Sequence, residues 1–139
     1  MALKHTYLSR KKMLPKGSET ILVMRGRGND DLAPSRELLD DVNRYKKEYT
    51  GDPDKRSKNA YEYAWAKSDF ERRFLAEIAA RPAALDRLKR LSERSAKEDT
   101  YLICYEADDK PCHRKLLLQI AETQFGATVD HRPYQVEAS

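Results

Sequence analysis

Two stretches of the chain are apolar without alternation: Thr20-Ile21-Leu22-Val23-Met24 and Thr100-Tyr101-Leu102-Ile103-Cys104. Short, partly β-branched runs of this kind suit strands covered on both faces, so each predicts a buried parallel strand, over 20–25 and 100–105. A shorter strand is expected over 5–8. Elsewhere the apolar residues recur at helical spacing. Leu38, Leu39, Val42 and Tyr45 share one face of a helix that Pro34 opens and that ends before Gly51. Trp65, Phe70, Phe74, Leu75 and Ile78 predict a helix over 60–80. Pro82 stops it and starts the next, which carries Leu85, Leu88 and Leu91. A helix over 111–125 holds Leu116, Leu117, Ile120 and Ala121, and Gly126 ends it. Residues 127–131 read as a last short strand.

Strands separated by helices imply an α/β fold, a mostly parallel sheet flanked by helices. The chain has 139 residues and no internal repeat, which suits a single domain over 1–139. Nowhere does an apolar run approach the roughly 20 residues that cross a bilayer, so no membrane partner is expected. The opening Met-Ala-Leu-Lys-His-Thr-Tyr has no apolar signal core, and the expected location is the cytoplasm. Two cysteines are too few for a disulfide scaffold and read as thiols or ligands.

Charge changes the picture at one end. Residues 1–27 hold Lys4, Arg10, Lys11, Lys12, Lys16, Arg25 and Arg27 against Glu19 alone, a net of +6 in a chain whose total is +4. Such an end can meet phosphate or nucleic acid. No aromatic platform is interleaved with these charges, so a solvated terminal loop is the simpler reading.

Parallel sheets bind ligands beyond the carboxyl ends of their strands. Two loops lie there. One follows strand 20–25 and carries Arg25, Arg27 and two glycines; the other follows strand 100–105 and carries Cys104, Glu106, Cys112, His113 and Arg114. If the strands are neighbours, both loops face one cleft. Glu106 projects to the same side of an extended chain as Cys104. Cys112 opens a helix, where free N–H groups and the macrodipole favour a thiolate. His113 can carry a proton and Arg114 can hold an anion bidentately. Each also has a structural reading: Cys104 as a small core residue, His113 as a surface or capping residue, Glu106 as a partner for Lys110 or Arg114. Tyr61, Tyr63 and Trp65 read as core and rim packing.

Cys104, Cys112 and His113, with His131 as a fourth, are ligands that zinc would accept. The Cys-x7-Cys-His spacing forms no compact knuckle, and no metal or other cofactor is expected. A phosphatase loop is excluded by the spacing of either cysteine to Arg114.

These residues carry a resemblance. Cys104-Tyr105-Glu106 followed by Cys112-His113-Arg114, after Tyr101-Leu102-Ile103, resembles the signature of the domain-of-unknown-function 488 family. His5-Thr6-Tyr7-Leu8, Val23-Met24-Arg25-Gly26-Arg27, Leu32-Ala33-Pro34-Ser35 and the stretch from Phe70 to Leu88 are similar to other parts of it. The resemblance implies a compact α/β fold with a shared polar cleft and leaves the reaction open.

The leading expectation is a small enzyme acting on a phosphate- or nucleotide-like anion. Cys112 or Cys104 serves as thiolate and His113 or Glu106 as proton carrier, while Arg25, Arg27 and Arg114 bind the anion. The alternative is a non-catalytic module that docks nucleic acid or protein through the basic N-terminal segment.

Overall fold

Every residue of the strand Thr100–Cys104 (β3) is buried, a pattern that needs neighbours on both edges and cover on both faces. The computed structural model describes residues 1–107 and 109–134. In it β3 lies between Leu3–Tyr7 (β1) and Glu19–Leu22 (β2) in a three-stranded sheet of order β1-β3-β2. All pairings are parallel: Leu3 and Glu19 both face Thr100, while Tyr7 faces Cys104 and Leu22 faces Ile103. The fold is α/β, as expected. Asp108 lies outside the described residues.

Five helices surround the sheet: α1 (Arg36–Glu48), α2 (Lys58–Lys67), α3 (Phe70–Ala79), α4 (Pro82–Ser95) and α5 (His113–Phe125). Ser35 and Ser57 cap α1 and α2 by accepting from Leu38 N and Ala60 N, satisfying N–H groups that no helix can bond internally. Pro82 stands at the start of α4, where its missing N–H costs nothing. The core joins Leu102 of β3 with Phe74 and Ile78 of α3, Leu88 of α4 and Leu117 and Leu118 of α5. Burying each such side chain contributes about 1.5–3 kcal/mol.

The structure corrects two expectations. The helix read over 60–80 is two helices. Asp69 between them adopts a left-handed conformation, φ 54°, which aspartate tolerates better than most residues. Arg73 donates both to the Ser68 carbonyl at 3.1 Å and to Asp41 Oδ2 at 2.9 Å, bracing the break from α1. The bend brings Trp65 and Phe70 into a stack with ring centroids 3.8 Å apart. Apolar periodicity runs through the break because both halves face one core.

The strand read over 127–131 is a single parallel bridge, Leu3 to Val129. Leu3 N donates to the Thr128 carbonyl and Asp130 N to the Leu3 carbonyl, at 2.9 and 3.0 Å. Asp130 Oδ1 then accepts from Arg132 N at 3.0 Å, a local turn that competes with further pairing.

Phe74 is fully buried, 5.7 Å from the Phe70 ring and edge-on to His113 at 5.4 Å. Phe74→Ala is expected to lower the unfolding free energy by about 3–5 kcal/mol, measured by urea denaturation.

Candidate functional site

β3 delivers Cys104 at its carboxyl end, and the chain then turns through Glu106 and Pro111 to Cys112, the N-cap of α5. Cys112 therefore precedes the helix, and His113 is its first residue. β2 and β3 are neighbours, so the loops after them do meet. Val23 donates its N–H to the Ile103 carbonyl at 2.9 Å, and its own carbonyl lies 2.8 Å from His113 Nε2. A carbonyl only accepts, so Nε2 carries the hydrogen and Nδ1 is left to face the two sulfurs. It stands 3.7 Å from Cys104 Sγ and 3.8 Å from Cys112 Sγ.

Glu106 completes the cluster. Its Oε2 accepts from Cys104 at 2.7 Å and lies 3.4 Å from Cys112 Sγ. The turn that aims it is held from behind by Arg114, whose side chain is fully buried. Arg114 Nη1 donates to the Glu106 carbonyl at 2.7 Å and Nε to His5 Nδ1 at 3.0 Å. His5 is fully buried as well, and its Nε2 meets the His131 carbonyl at 2.8 Å. One neutral tautomer serves both contacts: Nδ1 accepts and Nε2 donates.

A pocket with a cavity of about 60 Å³ opens beside the cluster. Glu106, Cys112 and His113 form one wall. Lys46 of α1, Tyr61 and Trp65 of α2, and Phe70 of α3 form the others. Lys46 Nζ lies 4.2 Å from the Tyr61 ring centroid, and Lys110 Nζ approaches the same ring at 5.3 Å. Cys104 is buried behind this wall, hydrogen-bonded to Glu106.

The sequence-predicted residues thus separate. Cys104, Glu106, Cys112 and His113 come together. Arg114 supports them from the core. Arg25 turns away: its Nε donates to the Pro34 carbonyl at 2.8 Å and its Nη1 pairs with Asp30 at 3.4 Å. Arg27, exposed, donates to the Tyr105 hydroxyl at 3.0 Å. None of the three arginines lines the pocket among the described residues. His131 is exposed and pairs with Glu122 at 3.0 Å, apart from the cysteines. Lys46 and His5 went unread as site residues. The i, i+4 spacing of Tyr61 and Trp65 was visible, but an aromatic pair on a helix reads first as packing.

Burial raises both thiols, and their neighbours then drive them apart. Cys104 lies well above the ordinary thiol range because it is buried and because Cys112 and Glu106 add negative charge beside it. Burial also opposes the Cys112 thiolate, but a hydrogen bond from Cys104, the His113 charge and Arg114 outweigh it, and Cys112 falls well below that range. Glu106 is raised by burial and then by Cys112. His113 is raised: burial favours the neutral ring, yet the Cys112 thiolate and the Val23 carbonyl favour imidazolium more. These directions favour negative charge on Cys112, positive charge on His113 and a protonated Cys104.

A family model described as an active DUF488-N3 subclade matches residues 28–124, a span that takes in all four clustered side chains and Arg114. The chain belongs to the DUF488 family. Among curated proteins and among solved structures, no match was found. In this DUF488 protein the Cys-x-Glu…Cys-His-Arg signature divides by its place against the pocket: Cys112, His113 and Glu106 line it, while Cys104 and Arg114 do not.

Two outcomes are expected. Iodoacetamide modifies Cys112 before Cys104 in the folded protein, with Cys112 still reactive at pH values below the ordinary thiol pKa of about 8.5; peptide mass mapping checks the order. Arg114→Ala removes at least the bonds to His5 and the Glu106 carbonyl, each worth about 1.5–3 kcal/mol, so denaturant unfolding shifts to markedly lower midpoint with the strand contacts of β1 weakened.

Proposed function

We propose that this DUF488 protein is an enzyme whose active centre is the Cys112–His113–Glu106 wall of the pocket, acting on a small phosphate- or nucleotide-like anion. The observation that carries the reading is the opening of a thiolate–imidazolium pair onto a pocket that also presents a lysine, Lys46. A structural role for the cluster needs no such opening. The family model's description as an active subclade supports the same reading.

In this reading the Cys112 thiolate attacks the electrophilic centre of the bound molecule. A bond from Sγ forms as the leaving group departs with its electron pair and takes the Nδ1 proton of His113. The neutral ring then removes a proton from water, which attacks the intermediate and releases the Cys112 thiolate. Cys104 remains a thiol throughout and stabilises the neighbouring thiolate by donating to it. Lys46 faces the anionic part of the molecule, with Lys110 nearby on the other side of Tyr61.

The basic N-terminal segment offers the binding-module alternative less support. Lys4 pairs with Asp99 at 3.3 Å, Arg10 donates to the Tyr134 carbonyl and Arg25 pairs with Asp30.

The test is protection of Cys112. Nucleoside monophosphates and inorganic phosphate, titrated separately, are expected to slow iodoacetamide labelling of Cys112 at least several-fold. Lys46→Ala removes the protection while the labelling rate without ligand stays similar. No protection by any of these anions, or equal protection in Lys46→Ala, overturns the anion assignment.

A further inference from the structure

The same cluster has a geometry that catalysis by a thiolate does not call for. Cys104 Sγ, Cys112 Sγ and His113 Nδ1 lie within 4.8 Å of one another, and all three residues are buried. A tetrahedral zinc site, with Zn–S near 2.3 Å and Zn–N near 2.0–2.1 Å, separates neighbouring sulfur and nitrogen ligands by about 3.5–3.6 Å. The two S···N distances here are 3.7 and 3.8 Å. The ring is also oriented as metal-binding histidines are: Nε2–H is tied to the Val23 carbonyl, and Nδ1 is directed at the sulfurs.

A carboxylate stands beside the two sulfurs, outside that group of three, and offers a fourth donor once it shifts. Glu106 Oε2 lies 3.4 Å from Cys112 Sγ and 2.7 Å from Cys104 Sγ. The first distance matches a tetrahedral sulfur–oxygen edge of about 3.5 Å; the second has to open by about 0.8 Å to reach it. Glu106 sits in the turn between β3 and α5 and is only part-buried, so this adjustment falls on the most yielding member of the set.

We propose that Cys104, Cys112, His113 and Glu106 form a binding site for a single zinc ion. Two thiolates, one imidazole and one carboxylate suit zinc over magnesium or calcium, which take oxygen ligands. His131, a possible fourth ligand on sequence grounds, pairs with Glu122 away from the cluster, and Glu106 takes that place. The proposal goes beyond the catalytic reading and competes with it at one atom: a Cys112 Sγ bound to zinc is not free to attack a substrate. Zinc is therefore expected to hold the centre inactive, and its removal to release the nucleophile.

The full-length reduced protein is titrated with cobalt(II), which reports coordination in the visible spectrum, and then with zinc. The expected result is one cobalt per chain, intense tetrahedral d–d bands and a thiolate-to-cobalt charge-transfer band, all lost when zinc displaces cobalt. Cys112→Ser is expected to reduce the charge-transfer intensity by about half, as one of two thiolates is removed. Wild-type protein alkylated at Cys112 loses it similarly, which covers the case of a variant that folds poorly. Zinc is also expected to suppress iodoacetamide labelling of Cys112 at least tenfold, and a chelator to restore it. A pale octahedral spectrum, no charge-transfer band, or a band untouched by blocking Cys112 overturns the site. Anion protection of Cys112 with no cobalt signal sinks the metal site and leaves the catalytic reading standing; a full cobalt signal with no anion protection does the reverse.

Discussion

Val23 spends both of its backbone groups across the sheet. Its N–H closes the ladder to β3 and its carbonyl holds the His113 ring. That second bond sets everything the cluster can do. With Nε2 committed, Nδ1 is the ring nitrogen left to take or give a proton, and the two sulfurs face it. Phe74 packs edge-on against the same ring, which adds a steric limit to the one imposed by the hydrogen bond. A histidine at the first position of a helix is ordinarily mobile. Here it is anchored to the neighbouring strand.

A buried cation supports this arrangement from the other side. Arg114 is fully enclosed, so its charge must be met by hydrogen bonds within the protein. The two contacts to His5 and to the Glu106 carbonyl join β1 to the turn that follows β3. The guanidinium lies outside the pocket lining and holds the backbone from which Glu106 extends. Sequence reading ranked Arg114 as an anion binder because arginine next to Cys-His at a helix start fits that role. Nothing in the order of residues told its depth, since burial of Arg114 depends on His5, more than a hundred positions away.

The sheet was legible because β2 and β3 fall in continuous apolar runs; their adjacency, which places the two loops together, emerges only from the strand order β1-β3-β2. Cys104, Glu106, Cys112 and His113 were legible because they lie within nine positions of one another and straddle a strand-to-helix turn. The pocket's other walls were not. Lys46, Tyr61 and Trp65 come from α1 and α2, and only the tertiary packing of those helices brings them opposite Cys112. The break at Asp69 escaped for a related reason: a left-handed residue leaves no mark on a hydrophobic pattern when both halves bury the same face.

The parallel pairing of Leu3 with Thr100 and of Tyr7 with Cys104 bears on how the protein is made. Neither edge strand can find its partner until the central strand has left the ribosome, and His5 can meet Arg114 only later still. Pairings so distant in sequence are slow to form. During synthesis the two thiols therefore emerge before the surroundings that distinguish them exist. They take up their different surroundings only once these distant pairings are made.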